Sequence, residues 1–594
     1  MSFHPNDIAK RGRVANFIIA GVALFLLGGF FRSQVLQHQK YALQSETNRL
    51  REIPLPAPRG VIFDRNKKVI ADNVIGYSVS VLAQKEDSLR AVLQRLSGTI
   101  NITPQQIEQS VRRYRRGPTR PTVIIPDASF DVVSVLEEHR TQFPGLIIQS
   151  APRRFYPDGP VVSSFVGYVG EVSENELSQP AFTDYKAGQQ VGKQGLEKEY
   201  ESILRGKEGS QFVEVDARGR IVKNAGARQD LVPVAAPDMY TNIDMDLQRF
   251  VAGIFGDSLQ GGAVAIDPQT GGVLALYSAP GYDGNRFIGG VPVQYYDSLR
   301  NDPRRPLYNK ALQGTYPPGS TWKLATTSIG LETGTVKMTD KMPIPCSGGM
   351  QYGSRYFRCW DKRGHGYLDL KGAIAKSCDV YFYQLGLKLG LARLIAGGVE
   401  IGFASKAGID LPEEKRPRFP QSLDYFDRKY GKAGWTKSLV LSMAIGQGDN
   451  SQTIVNMARF YAALATDGSA PKPMIAHLKP ERVKVMQLTL DQMENVRAAL
   501  VGVVTGGTAA ASAIKGVQLA GKTGTAQSGT LDKGGKELDH AWFVGFAPAD
   551  KPSIVVAVMI EFGGHGTRAA QIASKIIGAY LHVAPVIDAS STEG

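Results

Sequence analysis

Ser320 and Lys323 stand three residues apart in the run Tyr316-Pro317-Pro318-Gly319-Ser320-Thr321-Trp322-Lys323. A serine hydroxyl is a weak nucleophile at neutral pH, and a neighbouring amine that takes its proton is one of the few ways to activate it. Residues three apart on a helix share a face, so the spacing predicts that Lys323 reaches the Ser320 hydroxyl where a helix starts. The local sequence supplies that start. Pro317 and Pro318 cannot lie inside a helix, Gly319 permits an unusual backbone angle, and residues 324–332 form a helical run ended by Gly334. Ser-x-x-Lys alone is a common pattern, and its bland reading is an N-cap serine beside an exposed lysine.

Two later stretches weigh against the bland reading. Lys376-Ser377-Cys378-Asp379-Val380-Tyr381-Phe382 brings a second serine and a short acid ahead of an expected amphipathic helix over residues 381–389. In Ala520-Gly521-Lys522-Thr523-Gly524-Thr525-Ala526, Lys522 and two threonine hydroxyls would line one edge of a strand. Glycine at such an edge lets a substrate backbone come close. Ser-x-x-Lys, then Ser-x-Asn or Ser-x-Asp, then Lys-Thr-Gly, in this order, is the motif pattern of penicillin-binding proteins and class A β-lactamases.

On these motifs, residues 51–583 resemble the class B penicillin-binding proteins, membrane-anchored D,D-transpeptidases of bacterial cell-wall synthesis. Ser377-Cys378-Asp379 followed by Val380-Tyr381-Phe382-Tyr383 resembles the elongation type, since division-type relatives usually carry Ser-x-Asn. Pro58-Arg59-Gly60-Val61-Ile62-Phe63-Asp64-Arg65-Asn66, residues 192–197, Leu204-Arg205-Gly206 and Gly446-Gln447-Gly448 are similar as well. The resemblance implies that Ser320 attacks the penultimate D-Ala carbonyl of a stem pentapeptide, expels the last D-Ala and leaves an acyl-enzyme. Lys323 would take the proton, with a pKa lowered by a nearby cation such as Lys522, and Ser377 would relay it to the leaving amine. Lys522, Thr523, Gly524 and Thr525 would bind the substrate end and its carboxylate, and the N–H groups of Ser320 and Thr525 would meet the oxyanion. An amine of a neighbouring stem peptide then forms the crosslink, and β-lactams acylate Ser320 as mimics of D-Ala-D-Ala. Asp379 departs from the superfamily, where an amide usually stands; a carboxylate can pair with Lys323 or orient the donor. The implied partners are a SEDS-family glycan polymerase and elongation scaffold proteins. The rival functions are a hydrolase (D,D-carboxypeptidase or β-lactamase), a penicillin-responsive sensor, and a scaffold that mainly activates the polymerase.

Residues 14–31 carry no charge and are just long enough to cross a bilayer. Lys10, Arg11 and Arg13 precede the run, which keeps the N-terminus cytoplasmic and places the chain beyond the run outside; no small-x-small cleavage site comes after it. The expected layout is cytoplasmic residues 1–13, a membrane helix over 14–32, stalk and pedestal over 33–238, a transpeptidase domain over 239–583 and a flexible tail over 584–594, in a bacterial inner membrane. Pro54, Pro56 and Pro58 suit an extended linker after a helix-compatible stalk. The pedestal reads as mixed, with strands near 77–83 and 122–125 and helices near 88–96 and 104–116; no acid, base and nucleophile cluster there, and the resemblance makes it non-catalytic. Beyond it, a hairpin over 262–277, strands over 541–547 and 554–560 and a helix over 567–580 give an α+β class. The expected domain is an antiparallel sheet flanked by helices, similar to serine β-lactamases, with first and last strands paired. The net charge of +14 admits nucleic acid, an anionic membrane or an anionic substrate. Arg112-Arg113-Tyr114-Arg115-Arg116 lies in no nucleic-acid motif, so it reads as a solvated helix face and no nucleic-acid partner is expected.

Cys346, Cys359 and Cys378 are the three cysteines, and His365 lies among them with twelve, five and twelve residues between successive members. Three thiolates and an imidazole make a tetrahedral zinc shell, with Asp361 as a substitute fourth ligand. One disulfide with a leftover thiol, or three unrelated buried cysteines, are the alternatives. Some elongation-type relatives are similar in carrying zinc in this loop with other ligands; here its role would be structural, tethering Ser377 and Asp379 through Cys378.

Overall fold

The uncharged run lies within one helix, Pro5–Phe31, which passes into a π-helical turn at Arg32–Leu36. The stretch Lys10–Leu36 is long and apolar enough to cross a membrane, and its apolar window is buried against nothing in the protein. The computed structural model describes residues 5–39, 50–83, 85–116, 120–215, 221–224, 229–432 and 434–583. The middle of the expected stalk and the tail lie outside the described residues.

The proline-rich segment is extended, but as a strand rather than a linker. Leu50–Leu55 pairs antiparallel with Gly209–Val215, and Ile221–Asn224 completes a three-stranded sheet. Leu50–Leu55 is an edge strand, where Pro54 is tolerated because one side of the ladder is unused. The main pedestal sheet runs Met239–Tyr240, Ile62–Phe63, Val69–Val81, Thr122–Ala128, with Leu146–Phe155 also on Val69–Val81. That long strand starts earlier than its sequence suggests, because Asp72, Asn73 and Gly76 are poor strand formers held by pairing with Leu146–Phe155. Helix Glu86–Thr99 buries Leu89, Val92, Leu93 and Leu96, one stripe of helical spacing. Two arginines of the basic run on Pro104–Arg116 are ion-paired, Arg113 with Glu171 and Arg115 with Glu86.

Pedestal and C-terminal domain are continuous. Met239–Tyr240 pairs in parallel with Ile62–Phe63, and Ile62, Ile70 and Phe165 share a core with the C-terminal sheet. At the pedestal's centre Glu197 is fully buried and accepts from Arg59 Nε at 3.0 Å, Arg154 Nε at 2.5 Å and Tyr156 Oη at 3.3 Å. Burial works against the charge of Glu197, yet Arg154 and Arg59 hold its pKa below the usual range.

The C-terminal sheet is antiparallel in the order Val273–Ala279, Gly261–Ile266, Ile554–Ile560, Glu537–Ala547, Ala520–Leu531. First and last segments pair as expected, Gly261 opposite Ile560, and the Lys-Thr-Gly strand forms the edge. Helices Met245–Phe255, Gly566–Tyr580 and Ile454–Ala465 pack on the sheet. All seven residues of Ile554–Ile560 are buried, so the strand reads as a continuous apolar run. One expectation fails: helix Asp379–Leu389 is not amphipathic. Residues 379–386 are all buried, because helices Lys323–Glu332, Leu391–Ile401 and Leu439–Ala444 enclose it.

Candidate active site

Ser320 is not an N-cap. It lies in a 3-10 turn, Gly319–Trp322, and the α-helix Lys323–Glu332 begins only afterwards, with no side-chain cap on either. Gly319 has φ +54°, and a Cβ there would lie 2.7 Å from Thr525 O, so glycine alone lets motif one press against motif three. Gly319 N donates to Gly446 O at 3.0 Å, which brings Gly446-Gln447-Gly448 to the same turn. Tyr316 is braced by backbone bonds to Gln452 and by its hydroxyl, which donates to Glu561 Oε1 at 2.8 Å.

Lys323 is fully buried and turns toward motif two. Its Nζ donates to Ser377 O at 2.7 Å, Ser377 Oγ at 3.2 Å and Asp379 Oδ1 at 2.7 Å. These three contacts hold Nζ in motif two, and no hydrogen bond joins Lys323 to Ser320 among the described residues. The Asp379 carboxylate at 2.7 Å draws the Lys323 amine group toward motif two instead. Ser377 has φ +55°, a left-handed conformation uncommon outside glycine, of the kind that clusters at functional sites. Asp379 uses both oxygens, because Trp360 N donates to Oδ2 at 3.0 Å. The Trp360 indole Nε1 donates to Lys376 O at 3.0 Å.

Lys522 is fully buried on the edge strand. Burial first, and then repulsion from Lys323, push its pKa well below the lysine range, against the opposing pull of Asp379. Strand alternation puts Lys522 and Gly524 on one face and Thr523 and Thr525 on the other. A Cβ on Gly524 would lie 2.8 Å from Pro318 O, so the Lys522 face meets motif one. Thr523 Oγ1 bonds Thr508 Oγ1 at 2.5 Å, and Thr525 Oγ1 accepts from Gly566 N at 3.3 Å. Trp360, Gln452, Glu561, Thr508 and Gly566 are contacts that sequence reasoning missed, because no local pattern marks them as partners of the motifs.

The cysteines converge. The ligand atoms of Cys346, Cys359, His365 and Cys378 lie within 4.8 Å of one another, with all three cysteines free and buried. His365 Nδ1 is 3.6 Å from the sulfurs of both Cys346 and Cys359. Asp361 is elsewhere, occupied by Arg363. Strand Arg355–Arg358 and Cys359 lead directly to Trp360, so this cluster is one residue from the backbone donor of Asp379.

The family model for the penicillin binding protein transpeptidase domain matches residues 261–578, and that for the penicillin-binding protein dimerisation domain matches 54–233. The peptidoglycan D,D-transpeptidase MrdA of Acinetobacter baumannii is 33% identical over 96% of this chain and 88% of its own. The chain belongs to the class B penicillin-binding proteins of the PBP2 type. The MrdA protein of Escherichia coli K12 is 29% identical to this penicillin-binding protein over 96% of the chain and 93% of its own. Among solved structures, the complex of PBP2 with MreC from Helicobacter pylori superposes with TM-score 0.78 at 27% identity, covering 90% of this chain and 99% of its own. A peptidoglycan synthase complex coordinating polymerization and crosslinking gives TM-score 0.69 at 30% identity over 97% and 100% of the two chains. This penicillin-binding protein is accordingly a serine-type D,D-transpeptidase, with the PBP2 two-domain α+β fold.

Proposed function

We propose that Ser320 is the acylated nucleophile of this D,D-transpeptidase, which crosslinks peptidoglycan stem peptides during cell-wall elongation. The observation that carries the reading is the three-way contact of Lys323 Nζ with the carbonyl and hydroxyl of Ser377 and with Asp379, at the end of the turn bearing Ser320. The Ser320 oxygen bonds to the donor carbonyl carbon, and Lys323 Nζ takes the proton that Ser320 gives up. Ser377 Oγ then carries the proton to the departing D-alanine nitrogen as the peptide bond breaks. The acceptor amine attacks the ester, gives up a proton and releases Ser320. Thr523 and Thr525 bring their hydroxyls to the substrate carboxylate, and Lys522, buried on the opposite strand face toward motif one, supports that end of the site from behind. Thr525 Oγ1 accepts from Gly566 N, so its own proton is free to donate to that carboxylate. The backbone N–H groups of Ser320 and Thr525 take the oxyanion, and β-lactams enter by the same step.

The Cys346, Cys359, His365 and Cys378 set suits zinc. With Zn–S near 2.3 Å and Zn–N near 2.0–2.1 Å, a tetrahedral edge between sulfur and nitrogen is about 3.6 Å, and both His365 separations are 3.6 Å. Bound zinc would contribute structure only, fixing Cys378 beside Ser377 and Asp379. Metal analysis should find about one zinc per chain, lost with Cys359→Ser; a zinc-free protein carrying a disulfide contradicts this.

Lys10, Arg11 and Arg13 favour a single-pass anchor in the inner membrane with the catalytic domain outside. A scaffold protein and a SEDS-type glycan polymerase are the partners this reading assigns, supported by the MreC complex and the synthase complex. Incubation of the full chain with uncrosslinked strands tests the function: crosslinked peptides form, and Ser320→Ala forms none. Release of D-alanine without crosslinks would make the chain a carboxypeptidase. Rescue of a depleted strain by Ser320→Ala would make scaffolding sufficient.

A further inference from the structure

Beside motif two lies an exposed ledge that the acylation chemistry does not use. It is the hairpin Gly349–Tyr352 and Arg355–Arg358 with the loop after it. Along the second strand, Phe357 is half-buried and Cys359 buried, while Tyr356, Arg358 and Trp360 alternate with them and are exposed. Tyr356 is 50% exposed, Trp360 56% and Tyr367 61%, an unusual concentration of aromatic surface.

Two of these rings, Tyr356 and Trp360, are held in place. A Cβ on Gly349 would fall 2.5 Å from the Tyr356 ring, so the ring lies over a glycine chosen for lack of a side chain. The Trp360 indole is fixed by its bond to Lys376 O, and Arg355 stacks on Phe357 at 5.2 Å. Rigid aromatic rings supply contact area at low entropic cost.

The charge of the ledge is one-sided. Residues 349–378 contain six lysines and arginines against two acids. Both acids are engaged, Asp361 with Arg363 and Asp369 in capping Leu370–Ala375. Arg355, Arg358 and Lys362 form no ion pair among the described residues. Aromatic faces suit the apolar faces of sugar rings, and a row of cations suits repeated carboxylates.

We propose that this ledge docks an uncrosslinked glycan–peptide strand through its sugars and stem-peptide carboxylates, and delivers that strand to the acyl-enzyme as acceptor. The inference rests on the transpeptidase reading above. Trp360 ties the two together, since its backbone N–H holds Asp379 while its ring belongs to the ledge. Its indole also bonds Lys376 O, next to Ser377, so the ledge adjoins motif two.

The test measures binding of purified uncrosslinked strands to the full chain in lipid nanodiscs, on a Ser320→Ala background so that no reaction intervenes. Tyr356→Ser with Arg358→Ser should weaken binding about tenfold, the sum of a modest aromatic and a modest charge contribution. Tyr356→Phe should bind like the parent. In chains retaining Ser320, labelling by fluorescent penicillin should be equal for the parent and the double variant, which shows the variant folded. Strands with amidated carboxylates, and stem peptides without sugars, should each bind several-fold more weakly than intact strands. Unchanged binding by the double variant, or equal binding of amidated strands, overturns the proposal. Absence of penicillin labelling in the parent would instead overturn the transpeptidase reading, and strand binding would still stand or fall by itself.

Discussion

Asparagine at position 379 should cripple this enzyme, although asparagine is the usual residue of the wider superfamily. Asp379 accepts twice, from Lys323 Nζ at 2.7 Å through Oδ1 and from Trp360 N at 3.0 Å through Oδ2. An amide offers one oxygen and one NH2 group, so in either orientation a donor faces a donor. Lys323 is fully buried, and its ammonium cannot turn to water. Losing one partner of a buried ion pair costs about 3–5 kcal/mol. An amide oxygen facing Lys323 recovers part of this, leaving about 1–3 kcal/mol for the stranded Trp360 N–H and the remainder for the lost charge. A net cost of about 3 kcal/mol in the acylation transition state slows the reaction on the order of 100-fold. Stopped-flow acylation by a fluorescent penicillin measures this directly, with Trp360→Phe as a control that keeps the backbone donor. An Asp379→Asn rate within threefold of the parent would refute the reasoning, since it would mean that the second acceptor oxygen does nothing.

Gly319→Ala should slow acylation at least tenfold, because its Cβ would meet Thr525 O at 2.7 Å; Gly334→Ala, at φ +66° in open space, should cost stability alone. Glu197→Gln should destabilise the pedestal by about 3–5 kcal/mol, read as an earlier calorimetric transition, because buried Arg154 loses the anion it pairs with, whereas Arg59 keeps Glu201. Lys310 gives a pH signature: burial pulls its pKa down to about 8 from 10.5. Below pH 8 folded and unfolded chains both hold the proton, and the burial penalty is complete. Between about 8 and 10.5 only the unfolded chain still holds it, so stability rises with pH by at most about 1.4 kcal/mol per unit. Lys310→Met should flatten the rise in melting temperature over that window.

The motifs were legible because each is a short local pattern with its own chemistry. Of the residues they single out, Lys323, Ser377 and Asp379 touch one another, and the turn bearing Ser320 packs against the strand bearing Lys522; the pairing of the first and last strands was legible as well. The four metal-type residues were legible as a set, with a disulfide or unrelated burial as alternatives to zinc, and the convergence of their ligand atoms fits the metal reading. What the sequence hides is pairing at a distance. Val69–Val81 looks interrupted until Leu146–Phe155 is laid beside it, and Pro54 looks like a linker until Gly209–Val215 is. Helix spacing pointed Lys323 at Ser320, whereas a carboxylate 56 positions away sets its direction. Trp360 carries no signal at all, because it acts on Asp379 through a backbone N–H that every residue but proline has.

Intact mass of the full chain after incubation with benzylpenicillin, coupled to peptide mapping, tests the central claim most directly. One penicilloyl adduct per chain, mapped to the peptide bearing Ser320 and lost in Ser320→Ala, is the predicted result. An adduct on another residue, or none on folded protein, contradicts it.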